Sequence, residues 1–338
     1  MLIQFFRKDY ILQYVALLFL QLFFWAPAIV FPEQNYLQYQ SFTSPGFNLF
    51  LFLAGNSPRL YTVMAFVIVF FTAITLNTAL DKHQLVTKNN LVTAFIYIIL
   101  MSHRPTLLSL YPTLIASLFI VIAIYQIFNL YMEKEAYSKI FNISILLAIG
   151  SLFYFEIIVL LIFLWLTFNI YRIYFWREWV IPILGFLTVY LFLAVYYFWT
   201  DQLGPAIEHY HSHLKAFYYF KFNFTLNYFS ITVNAAVYLL ALASLINLVA
   251  RLNEYTISVR KHYLSSVILL FITFLIILLV GSADSTNISL LLIPMSIIIS
   301  GYLMRLRKAF WVDVYIWLLL TLILFHNYYA IISPQIFD

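Results

Sequence analysis

A handful of ionisable side chains in this chain stand where chemistry is possible, each at the edge of, or inside, a long apolar run. Glu33 follows Phe31-Pro32 at the end of the first run, so a proline-stiffened exit holds a carboxylate near the membrane surface, where it could act as a general base. Arg59 opens the next run. His103 and Arg104 sit in Ser102-His103-Arg104-Pro105, and Glu156 interrupts an apolar stretch that continues to Ile170. A guanidinium fork matches paired phosphate oxygens, so Arg59 and Arg104, with His103 and Glu156, are candidate substrate-binding groups. His209 and His213 stand four apart, a spacing that zinc ligands use on one helix face, with Asp201 or Glu208 as a third donor. The glutamate lies beside the first histidine rather than between the pair, so this is a weak metal candidate, and no metal or other cofactor is expected.

Apolar runs must position these groups. Hydrophobic residues make up 64% of the 338 and charged residues 9%, with a mean hydropathy of +0.95, against roughly 25% charged in a soluble domain. The expected fold is therefore an all-α polytopic transmembrane bundle forming one membrane domain over residues 1–338. Spans are expected at 10–31, 59–80, 91–103, 106–131, 140–154, 157–171, 179–199, 228–250, 263–281, 286–304 and 309–332, about eleven in all. The first, Tyr10 to Phe31, lacks a small-residue cleavage site and reads as a retained span. Residues 200–227 read as an outer amphipathic loop, its helix lying on the membrane as a lid.

Alternate connections in this scheme collect fourteen of the eighteen Lys and Arg residues, leaving Arg59, Arg104, Lys215 and Lys221 on the other side. By the positive-inside rule the N-terminus is cytoplasmic and the C-terminus outside. The net charge of +5 is then an orientation signal and an attraction for membrane lipid, with no nucleic-acid partner implied. Cysteine is absent, which removes disulfides and thiolate chemistry. Seven glycines without a G-x-x-x-x-G-K arrangement give no phosphate-cradling loop. The mixed-charge stretches Asp81-Lys82-His83, Glu133-Lys134-Glu135 and 251–261 read as solvated connectors.

Two of these spans are too short to reach the far side of the core. Leu91 to Met101 is eleven residues, about 17 Å of helix against a core of ~30 Å, and Ile140 to Phe155 gives about 24 Å before Glu156. His103, Arg104 and Glu156 should thus lie below the outer surface, facing one shared cavity, since such groups at membrane depth are tolerated only inside protein or beside water. Pro105 is expected to break the first short helix and open the next.

The residues from Leu76 to Asn90 (LNTALDKHQLVTKNN), Tyr97 to Pro105, Ser151 to Glu156 (SLFYFE), Trp176 to Gly185 (WREWVIPILG) and Tyr196 to Leu203 (YYFWTDQL) resemble a family of polytopic inner-membrane proteins from flavobacteria and their relatives. That resemblance implies the multi-pass inner membrane of a Gram-negative cell and brings no assigned activity. In architecture the chain is also similar to C-type glycosyltransferases, which use polyprenyl-phosphate sugars: an acidic residue in the first outer loop, many spans, and arginines at the outer edge. The similarity implies a base role for Glu33. Three functions are compatible with these residues: glycosyl-like transfer from a lipid-linked donor at the outer face, lipid or polyisoprenoid transport, and a non-catalytic subunit of an envelope assembly or secretion complex with unidentified partners.

Overall fold

The computed structural model describes residues 2–32, 44–54, 57–133, 136–216, 228–280, 285–306 and 310–337. Among these the regular structure is helical: α1 (Leu2–Phe6), α2 (Ile11–Val30), α3 (Pro45–Ala54), α4 (Pro58–Lys82), α5 (Val92–Met101), α6 (Pro112–Phe128), α7 (Tyr137–Phe153), α8 (Leu160–Tyr171), α9 (Trp176–Trp199), α10 (Leu203–Ala216), α11 (Tyr228–Ala250), α12 (Ile257–Val280), α13 (Ser289–Arg305) and α14 (Phe310–Phe337). Helix is what an apolar chain must form in hydrocarbon, because each backbone N–H and C=O then finds its partner within the segment. Proline stands at the first position of α4 and α6, where its missing N–H costs nothing.

Each of the eleven expected spans coincides with a helix. By length and composition, seven helices among the described residues are long and apolar enough to cross a membrane, and the segments Val92–Met101, Pro112–Phe128, Tyr137–Phe153 and Phe155–Tyr171 are shorter. One boundary differs from expectation. Pro105 opens a 3-10 turn, Pro105–Leu107, and α6 begins only at Pro112, so the connection after α5 is a ten-residue packed turn, 102–111, rather than a tight hairpin.

Burial is organised as expected for a protein whose solvent is lipid. Every residue of α5 is buried, and α13 is nearly as enclosed. These two helices and α6 pack together as a central layer, flanked by α4, α7, α11 and α12. The surrounding helices turn large apolar side chains outward, among them Phe19, Phe23, Phe192, Leu239, Ile246 and Trp317, while Gln13, Gln21, Thr72, Asn77 and Ser117 are buried. An exposed apolar belt over a polar-dotted interior reverses the soluble pattern. Close helix approach uses small residues: a Cβ on Gly185 of α9 would lie 2.4 Å from the Ser144 Cβ of α7.

Two ends of the bundle are distinguished by their contacts. At one, the basic end, Arg7 Nη2 donates to the carbonyls of Leu303 and Leu306 at 2.8 Å each, capping α13 with a cation, and the Ile3 amide donates to Asp313. The segment between α4 and α5, expected from its charges to be a solvated connector, belongs to the fold. Leu85, Val86 and Asn90 are buried. The Leu85 amide donates to Leu80 O and the Gln84 amide to Asp81 O, closing α4 with a left-handed residue, Gln84 at φ 58. Asn89 (φ 59) is also left-handed, and its amide donates to Asp81 Oδ1 at 3.0 Å. Non-glycine residues adopt this conformation at a cost of roughly 1 kcal/mol, sustained where surrounding contacts over-determine it.

Candidate functional site

The opposite end holds the turn 102–111. Its depth follows from its neighbours. Trp25 Nε1 of α2 donates to Ser102 Oγ at 3.2 Å, and Asn327 Nδ2 of α14 donates to Ser102 O at 2.8 Å. Beyond these contacts α2 continues to Val30 and α14 to Phe337, so the flanking helices rise past the turn by about 7 and 15 Å at 1.5 Å per residue. The short α5 therefore leaves His103 and Arg104 below the ends of α2 and α14.

Around them lies a polar cluster drawn from three distant segments. His103 is fully buried and its Nδ1 bonds the Leu100 carbonyl. Because a carbonyl only accepts, Nδ1 carries the hydrogen in this contact and Nε2 of the neutral ring is an acceptor. That Nε2 and Asn327 Oδ1 are buried with no hydrogen-bond partner among the described residues. Arg104, half-buried, donates from Nε to Asn234 Oδ1 of α11 at 2.8 Å and lies close to Tyr238. Its positive charge also reaches the rings of His103 and His326, and His326 in turn contacts Ser230 at 3.3 Å. No carboxylate pairs with Arg104 among the described residues. A half-buried guanidinium without a countercharge, beside orphaned acceptors, is a constellation that an anion carrying hydroxyl or amide donors would complete.

Glu156 does not join this cluster. It is buried in the 3-10 turn Phe155–Val159 between α7 and α8. Its surroundings are Ser151, whose Oγ lies 2.9 Å from Tyr190 OH of α9, and α10, which folds back so that the Tyr210 ring sits 5.3 Å from that of Phe155. No hydrogen bond or ion pair among the described residues links Glu156 to His103 or Arg104. The expected link between Glu156 and the Arg104 cluster is thus not made by any direct contact among the described residues, where Glu156 lies in the turn after α7, near Tyr190 of α9. Arg59 is exposed on the first turn of α4, with no hydrogen bond or ion pair to either group among the described residues. Glu33 lies outside the described residues. His209 and His213 fall on α10, with their side chains outside the described set, and no group of three metal-binding side chains occurs among the described residues.

Asn234, His326 and Asn327 are absent from the sequence reading of the site. Their signal was present: a His-Asn pair and an asparagine inside otherwise apolar spans are expensive in lipid and mark a buried polar partner.

These features define a helical, multi-pass membrane protein with a polar cluster built around a broken helix. The chain belongs to DUF6427, a family of unknown function whose model matches residues 41–334. Neither the curated proteins nor the solved structures contain a match.

Proposed function

We propose that this chain is a multi-pass protein of a Gram-negative inner membrane that receives the phosphate of a lipid-linked substrate in the sunken turn 102–111, from the non-cytoplasmic side. The observation that carries this reading is Arg104, a guanidinium half-buried at a helix break with no acidic partner among the described residues. Arginine is suited to such a role because it stays charged at depth and bonds phosphate oxygens in pairs. His103 Nε2 and Asn327 Oδ1 add acceptors for a hydroxyl next to that phosphate. The orientation rests on the partition of Lys and Arg along the chain.

Group transfer is the finer reading, and it depends on Glu33. In it Glu33 takes the proton from an acceptor hydroxyl, the acceptor oxygen bonds to the anomeric carbon, and the carbon–phosphate-oxygen bond breaks, with Arg104 stabilising the departing lipid phosphate. Purified full-length chain titrated with undecaprenyl phosphate, read by native mass spectrometry, tests the site. Binding should weaken at least tenfold in Arg104→Gln and less in Arg104→Lys, with the unliganded melting temperature preserved. Unchanged affinity in Arg104→Gln overturns the reading. Glu33→Gln then separates the classes: retained binding with lost transfer marks an enzyme, whereas binding without any transfer by the parent chain marks a lipid carrier or a non-catalytic subunit.

A further inference from the structure

The basic end carries a second built site, independent of the sunken turn. The α4–α5 connection, the turn before α12 and the last turn of α13 enclose a cleft of about 510 Å³, with Gln84, Thr87 and Lys88 on one wall and Tyr255, Met304 and Arg305 on the other. This wall of the cleft is held in place from beneath. Tyr263 OH donates to Leu85 O at 2.7 Å, Asn77 Nδ2 donates to Asn90 O at 2.7 Å, and the Leu91 amide donates to Phe6 O at 2.8 Å. Gly301 permits the arrangement, since a Cβ there would meet the Tyr263 hydroxyl at 2.2 Å. So much fixing of a short polar connection, at the cost of two left-handed non-glycine residues, exceeds what joining two helices requires.

The chemistry of the walls selects a ligand. Arg305 lies over the Tyr255 ring, its guanidinium carbon 3.7 Å from the centroid, so stacking fixes the plane in which its N–H groups point. Nη1 donates to Glu254 Oε2 at 3.2 Å, an ion pair whose carboxylate is largely exposed; Nη2 and Nε have no acceptor among the described residues. Lys88 is exposed on the facing wall, and Thr87 and Gln84 add neutral donors. Met304, Leu85 and Val86 bring apolar surface to the same cleft. Two cations and neutral donors beside apolar surface, at the end of membrane helices, match a phosphate ester attached to a hydrophobic body.

We propose that this cleft binds a phosphate group through Lys88 and Arg305, either the headgroup phosphate of an anionic phospholipid or that of a soluble phosphate ester. Asp81 and Glu254 are the acids near these cations, and Glu254 competes with the ligand for Arg305.

Full-length chain in detergent, titrated separately with phosphatidylglycerol, phosphatidylcholine, glycerol 3-phosphate and inorganic phosphate and read by native mass spectrometry and melting temperature, tests this. Phosphatidylglycerol should bind in preference to phosphatidylcholine if the source is lipid, and glycerol 3-phosphate should bind alone if the source is soluble. Lys88→Gln should weaken the binding about fivefold, the increment of one cation near a headgroup, and Lys88→Gln with Arg305→Gln should weaken it further. Glu254→Gln should tighten it, a change that a merely structural role for Glu254 would not produce. Arg177→Gln, an exposed cation over the Trp176 ring that does not line the cleft, should leave it unchanged. Equal binding by the parent chain and Lys88→Gln, equal loss in Arg177→Gln, or no binding of any of the four probes overturns the proposal.

Discussion

The side-chain amide of Asn327 donates to the carbonyl oxygen of Ser102 at 2.8 Å, joining residues 225 positions apart. Ser102 closes α5, and carbonyls at the end of a helix have no partner within it. The final helix therefore supplies the cap that the broken helix lacks. Asn327→Leu should lower stability by about 0.6–1.7 kcal/mol, the range for interhelical hydrogen bonds in membranes. A melting curve of the purified protein, a few degrees lower in the variant, checks this, and no shift would mean that water or another group caps Ser102 equally well.

His83 links the basic end to pH. Burial, then the neighbouring Lys82, pushes its pKa below the usual value, while Asn129 opposes the shift. Its ring meets Tyr125, Phe128 and His262 edge to face. The folded state binds the proton less readily than the unfolded chain, so the stabilisation is complete above about pH 6.5 and falls away as pH drops through that value. The slope from one such group is at most about 1.4 kcal/mol per pH unit. Melting temperatures of parent and His83→Gln between pH 5 and 8 should converge toward the acid end. Parallel curves would show that His83 does not titrate across folding.

Gly301 stands where α13 meets the Tyr263 hydroxyl of α12, with a Cβ there placed 2.2 Å from that oxygen and 2.9 Å from the ring carbon bearing it. Tyr263 is fully buried and tied to Leu85 O, so it cannot step aside without breaking that bond. Gly301→Ala should cost about 1–3 kcal/mol, the usual range for overpacking. Adding Tyr263→Phe should recover part of the loss by removing the nearest atom, and a double variant no better than Gly301→Ala would place the strain in the backbone instead.

Much of this fold is legible in the sequence because apolar run length alone decides where helices lie, and the eleven-residue run before Ser102 announces a helix that stops short. The site is less legible for a physical reason. Asn234, His326 and Asn327 meet Arg104 and Ser102 across more than a hundred residues of chain, and run lengths carry no information about which helices become neighbours. The same limit applies to Glu156, which run length groups with His103 and which the structure sets in the turn after α7, near Tyr190 of α9. The Asp81-Lys82-His83 stretch and the residues after it mislead in another way. Their charges suggest a wet connector, yet Asp81 and Asn90 spend their polar groups on the backbone of the turn itself.

Topology can be tested directly because the chain contains no cysteine, so any single cysteine introduced is a unique label. Lys88→Cys sits in the α4–α5 connection and Arg177→Cys in the first turn of α9, both on the basic end, whereas Thr106→Cys and Gln202→Cys lie in turns at the opposite one, all at exposed positions. If the basic end faces the cytoplasm, a membrane-impermeant maleimide applied to intact spheroplasts should label Thr106→Cys and Gln202→Cys, and should reach Lys88→Cys and Arg177→Cys only after the membrane is opened. The segments from Val92 to Tyr171, none of them long enough to cross by the ordinary measure, lie between Lys88 and Arg177. Labelling of these two from the same side requires an even number of crossings there, which four short helices satisfy. Opposite labelling of Lys88→Cys and Arg177→Cys would mean that one of the short helices dips into the membrane and returns, and the eleven-span topology would give way to one with fewer crossings.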